Sequence, residues 1–226
     1  MKDSIVSKCI PGTGNKVVFI MGWGNRLDDA CVLWLEIQAK RENWNLLIIE
    51  IPTEFLSFQK ILSKIQDEIS EEKIDLLIGF SMGALFAVHL NAHKRIFVSP
   101  YWKIPIHRLI NGSYGLSMFF LKLIKFIRIP ILPRGFSEDE IGEMDIPKFV
   151  PEKISPYTIH EIILAQNGIP EIGSSDYIFI CETDNVIDLS VAYGKTNVQE
   201  FIGGHCFLST YDRDRVFQKI IEITKE

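Results

Sequence analysis

The chain has 226 residues, 47% of them hydrophobic and 23% charged, which is the balance of a folded protein and not of a disordered one. That length fits one domain carrying an inserted subdomain better than two full domains. A formal net charge of −5 gives no electrostatic reason to expect nucleic acid or an anionic membrane surface as a partner.

Residues Met1 to Asn15 lack the apolar core of a signal peptide, and Pro11, Gly12 and Gly14 interrupt them. Ser4 to Ile10 leave room for one strand. Lys16–Met21 is a β-branched run ending at Gly22-Trp23-Gly24, and Asp28 or Asp29 can cap a helix over Ala30 to Arg41. Asn45–Ile51 reads as a strand closed by Pro52. Phe55 to Ile69 follows as a helix with Phe55, Leu56, Phe58, Ile61, Leu62, Ile65 and Ile69 near one face. Ile74–Ile78 is a third strong strand, Met82 to Ala92 a third helix, and Arg95–Val98 a fourth strand. Continuous apolar strands separated by helices predict a parallel sheet covered on both faces.

The alternation stops at Pro100, and eight of the ten prolines lie between Pro100 and Pro170. Within this stretch Tyr114 to Arg128 is a strongly apolar helical pattern, and Ser155 to Gln166 reads as another helix. The strand–helix rhythm resumes with Tyr177–Cys181, Asn197–Ile202 and a helix near Asp212 to Thr224. The expected organisation is therefore a sheet domain from 1–100 and 173–226, interrupted by a helical insertion at 101–172. Its longest uncharged stretch, Leu109 to Leu121, holds Asn111, two glycines and two serines, so no membrane span is expected. Four widely spaced cysteines show no metal-ligand spacing and are expected to be reduced. A cytoplasmic protein without metal or cofactor is the expectation.

Chemistry concentrates at the strand ends. Gly79-Phe80-Ser81-Met82-Gly83 places a serine between a strand and a helix, with small residues two before and two after it. Such a turn strains the backbone and lifts the hydroxyl above the sheet. A serine hydroxyl needs a base. Of five histidines, His205 alone follows the last strand directly, after Gly203-Gly204. The base in turn needs an orienting carboxylate, and Glu182, Asp184 and Asp188 cluster after Tyr177–Cys181. Asp184 is preferred, with Asp188 and then Glu182 as alternatives. A tetrahedral intermediate needs two N–H donors; Met82 and Trp23 are the candidates. Trp23 and Gly22 would also line the substrate pocket.

Four segments, MGWGN (21–25), GFSMGA (79–84), CETDNVI (181–187) and GGHCFL (203–208), together resemble the α/β-hydrolase superfamily. The resemblance implies a three-layer α/β-hydrolase fold with a mostly parallel sheet, a Ser81–Asp184–His205 triad and a lid in the insertion. Locally the chain is similar to esterases that demethylate pimeloyl-carrier-protein esters and to type II thioesterases. Met21 stands where many relatives have His, and Cys181 where a glycine is frequent.

The expected activity is hydrolysis of carboxylic esters of small or acyl-chain substrates through an acyl-enzyme. An acyl thioesterase using the same residues, acting on acyl-coenzyme A or an acyl-carrier protein, is the alternative. A non-catalytic binding module of the same fold is the reading from another class. The Tyr114 helix, with Phe119 and Phe120, is expected to cover the active site or pack on the sheet domain. Basic residues around it, Lys122, Lys125 and Arg128, could meet an acidic carrier protein or a coenzyme A phosphate. Oligomeric state is not legible.

Overall fold

A computed structural model describes residues 4–69, 73–103, 129–130, 153–184, 186–205 and 212–226. In chain order the elements are β1 (Val6–Ile10), β2 (Lys16–Ile20), α1 (Ala30–Arg41), β3 (Asn45–Glu50) and α2 (Phe58–Ile69). Next come β4 (Leu76–Phe80), α3 (Met82–Ala87), β5 (Lys94–Val98) and two short strands, β6 (Ile129–Pro130) and β7 (Lys153–Ile154). The chain continues through α4 (Pro156–Asn167), β8 (Asp176–Cys181), a 3-10 turn (Leu189–Ala192), β9 (Val198–Phe201) and α5 (Arg213–Lys225).

Seven strands form one sheet in the order β1-β3-β2-β4-β5-β8-β9, and β6 pairs with β7. β1 runs antiparallel to β3; every other pairing in the large sheet is parallel. Side chains alternate across the sheet, so the apolar strands feed two cores at once. Val18, Ile20, Leu77, Phe97 and Ile178 pack with α2, α3 and α4 on one face. Val17, Phe19, Ile78, Ile96 and Phe179 pack with α1 and α5 on the other. A sheet between two helical layers is the architecture expected from the alternation of runs.

Several boundaries differ from the sequence expectation, each for a physical reason. β4 lies later than Ile74–Ile78 and runs up to Ser81, in register with β5 through Phe80↔Val98. α2 begins at Phe58 because Phe55 is held in a turn, with its N–H and carbonyl both bonded to the Thr158 hydroxyl. α3 ends at Ala87, not Ala92: the chain tightens into i→i+3 bonds at His89 and Leu90, and Arg95 takes the Val88 and Leu90 carbonyls. Asp29 sits at the N-cap of α1, but its carboxylate accepts from Asn25 Nδ2 and the Arg26 N–H and not from the helix.

Helix α4, which falls inside the 101–172 stretch, buries Ile159, Ile162 and Ile163 in the core on the α2 side. Ser155 caps it through the Tyr157 N–H at 3.2 Å. The Tyr114–Arg128 helix, and with it Phe119 and Phe120, lies outside the described residues. Among the described residues no helix is long and apolar enough to cross a membrane.

Candidate active site

Ser81 joins the end of β4 to the start of α3 with φ 52 and ψ −117, a conformation sparsely populated by any residue with a side chain. Its neighbours hold it there. The Ser81 N–H donates to the Val98 carbonyl at 2.8 Å, and the Ser81 carbonyl accepts from Ala84 and Tyr101 N–H. The turn has no room for larger residues. A Cβ on Gly79 would stand 2.6 Å from Ala84 Cα, and one on Gly83 would stand 2.2 Å from the Ile20 carbonyl oxygen. Both glycines of the five-residue pattern are thus required by contact.

His205 and Asp184 arrive from the ends of β9 and β8. The Ser81 hydroxyl lies 2.8 Å from His205 Nε2, and His205 Nδ1 lies 2.9 Å from Asp184 Oδ2. An ionised carboxylate can only accept. Nδ1–H therefore donates to Asp184, which leaves Nε2 as the acceptor for the serine proton. All three residues are buried, and the Phe80 ring lies 5.6 Å from the imidazole ring.

Asp184 is fixed independently of His205. Its other oxygen accepts from the Val186 N–H at 2.9 Å and the Ile187 N–H at 3.2 Å. Burial pushes the carboxyl up. The imidazole beside it, the Val186 amide and the nearby Ser99 hydroxyl outweigh that effect and hold it below its ordinary 3.8. Ser99 is fully buried at the end of β5 with φ 43, and its Oγ has no hydrogen-bond partner of ordinary length among the described residues.

The two other carboxylates stand elsewhere. Glu182 is exposed. Asp188 accepts from the Ser190 N–H and pairs with Lys103 at 2.9 Å, so it caps the following 3-10 turn. Thr183, which sequence reasoning passed over, donates to the Gly203 carbonyl at 2.6 Å and ties the Asp184 loop to the His205 loop. Neither Ser99 nor Thr183 carries a pattern that would single it out in the sequence.

The loop after β2 faces the elbow. Its turn closes with the Asn25 N–H on the Gly22 carbonyl at 3.3 Å. Leu27 N–H donates to Glu50, and Arg26 pairs with the same carboxylate at 3.2 Å. A Cβ on Gly22 would meet Asn25 Oδ1 at 2.8 Å and the Phe80 ring at 2.9 Å, so this position is packed closed on one side. Trp23 spends its indole N–H on the Thr53 carbonyl at 2.7 Å, leaving its ring as an apolar surface. Among the described residues neither the Trp23 nor the Met82 amide donates to a protein acceptor. No cluster of three or more His, Cys, Asp or Glu able to hold a metal is present among the described residues.

The sequence matches no protein-family model and no curated protein. Solved structures do match the fold. A monoacylglycerol lipase of Paleococcus ferrophilus superposes with a TM-score of 0.72 at 15% identity, covering 100% of this chain and 99% of its own. A soluble variant of monoglyceride lipase from Saccharomyces cerevisiae, solved with a substrate analogue, gives 0.72 at 13% identity over 98% of this chain and 92% of its own. An esterase of Exiguobacterium antarcticum gives 0.63 at 15% identity, covering 98% of this chain and 96% of that one.

Proposed function

We propose that this chain, an α/β-hydrolase by fold, is a serine hydrolase that cleaves carboxylic esters through an acyl-enzyme on Ser81. The observation that carries the reading is the unbroken hydrogen-bond path from the Ser81 hydroxyl through His205 to the buried Asp184 carboxylate. In this reading His205 Nε2 takes the serine proton as Oγ attacks the ester carbonyl. Asp184 holds the imidazole in the required tautomer and stabilises its charged form. The carbonyl oxygen, now an oxyanion, is held by the Trp23 and Met82 amides. His205 then returns the proton to the departing alcohol. Water, deprotonated by the same imidazole, releases the acid and restores Ser81.

The structural neighbours named esterases and monoacylglycerol lipases favour an oxygen ester over a thioester. Gly22 and the Trp23 ring would form the pocket wall beside the scissile bond. The test is labelling with a fluorophosphonate probe, comparing the parent with Ser81→Ala, followed by a chain-length series of p-nitrophenyl esters run beside acyl-coenzyme A substrates. The parent is expected to label and turn over esters; the variant is expected to do neither. A folded parent that fails to label defeats the catalytic reading. A clear preference for the coenzyme A thioesters moves the chain to the thioesterase class.

A further inference from the structure

Helix α4 is bonded to two segments, at Phe55 and at Tyr101, that in turn bond to the two halves of the proposed oxyanion site. In its first turn Thr158 is fully buried. Its hydroxyl accepts from the Phe55 N–H and donates to the Phe55 carbonyl, each at 3.1 Å. A turn held at both its amide and its carbonyl by one hydroxyl cannot shift without orphaning buried polar groups. That same turn supplies the Thr53 carbonyl, which anchors the Trp23 indole. Thr158 thus braces the loop that carries the Trp23 amide.

Near the other end of the helix, Gln166 Nε2 donates to the Tyr101 carbonyl at 2.9 Å. The Tyr101 N–H donates in turn to the Ser81 carbonyl at 3.1 Å. That carbonyl and the Met82 N–H belong to one planar trans peptide unit, so fixing the direction of one fixes the other. Thr158 and Gln166 stand about 12 Å apart along the axis at the usual helical rise.

We propose that α4 is a calliper: Thr158 and Gln166 are positioning residues that set the spacing and direction of the Trp23 and Met82 amides. The proposal rests on the ester-hydrolase reading. Ile159, Ile162 and Ile163 already hold the helix against the sheet, so burial of α4 does not by itself require either polar side chain. Oxyanion bonds strengthen as the carbonyl becomes tetrahedral. A displaced amide therefore lowers kcat and leaves KM near its parent value.

Thr158→Val keeps the shape and removes both bonds, Thr158→Ser keeps the bonds, and Gln166→Met keeps the length. With a p-nitrophenyl ester, kcat of Thr158→Val and of Gln166→Met is expected to fall about 10–100-fold, a part of the roughly 10²–10³ that losing a whole oxyanion donor costs. KM is expected to stay within about threefold, the pH profile to keep its shape, and Thr158→Ser to recover most of the rate. Affinity for a boronic acid, which forms a tetrahedral adduct on the serine, is expected to fall in parallel with kcat. Should Thr158→Val not fold, Gln166→Leu removes the bond to the Tyr101 carbonyl at the other end of the helix and is expected to give the same kcat-selective loss. Parent-like kcat in the folded variants, or a loss confined to KM or to melting temperature, overturns the calliper and leaves the hydrolase intact. A parent that neither labels with fluorophosphonate nor cleaves esters overturns the hydrolase reading, and the calliper with it.

Discussion

Ser81 occupies a backbone conformation that costs on the order of 1–3 kcal/mol for a residue with a side chain, and the bonds to Val98, Ala84 and Tyr101 hold it there. Strain at this residue is useful because it presents the hydroxyl to Nε2 and away from the sheet. Ser81→Ala should remove on the order of 10⁶ of the rate while the turn persists, which a kcat measurement beside circular dichroism checks. Asp184→Asn puts an amide N–H group opposite Nδ1 and favours the wrong tautomer. A loss of about 10⁴ in kcat is expected, and near-normal turnover would remove Asp184 from its role. The serine and the histidine were legible in the sequence because a five-residue pattern and a Gly-Gly-His at a strand end are local. The choice among Glu182, Asp184 and Asp188 was not fully legible, because it depends on how the loop folds back. Val186 and Ile187 amides turn Asp184 inward, whereas Asp188 turns to Ser190 and Lys103.

The elements were legible from apolar runs, and their ends were not, because partners distant in sequence set them. Phe55 fits a helical pattern, yet the Thr158 hydroxyl holds it in a turn. α3 stops five residues early where Arg95 collects the Val88 and Leu90 carbonyls. Arg95 also makes a two-pronged pair with Asp176, Nε to Oδ1 at 2.7 Å and Nη2 to Oδ2 at 2.6 Å, on a carboxylate that is 0% exposed. This pair joins β5, β8 and the end of the elbow helix. Removing Asp176 leaves the Arg95 guanidinium, 17% exposed, and the Gly173 N–H without their carboxylate partner, so Asp176→Ala should cost about 1–3 kcal/mol, read from the urea midpoint. A drop below about 1 kcal/mol would mean that the joint contributes little to stability.

The order Ser81, Asp184, His205 and the three-layer architecture were both readable, because parallel α/β sheets bring strand ends to one edge. The packing of α4 on the main core was not readable, since a proline-rich stretch gives no sign of which helix returns to the sheet. Stability of the whole molecule should also depend on pH through His89, which stands against Phe58 with ring centroids 5.4 Å apart. Burial lowers its pKa below the ordinary 6.5, and its Nε2 is buried without a partner among the described residues. The unfolded chain then binds the proton more readily than the folded one. The stabilisation is present above pH 6.5 and is lost as pH falls toward the depressed folded value. Melting temperature should therefore decline in that window, and His89→Phe should flatten the decline; an unchanged slope would assign it to other groups. The pairing of β4, β5, β8 and β9 has a further consequence for how this chain can change length. One residue gained inside a strand turns every later side chain to the opposite face. An insertion between Leu76 and Phe80 would point the hydroxyl away from its imidazole, whereas the exposed turn at Gly173–Ser175 could absorb one. New sequence is thus expected to be tolerated between strands and not within them.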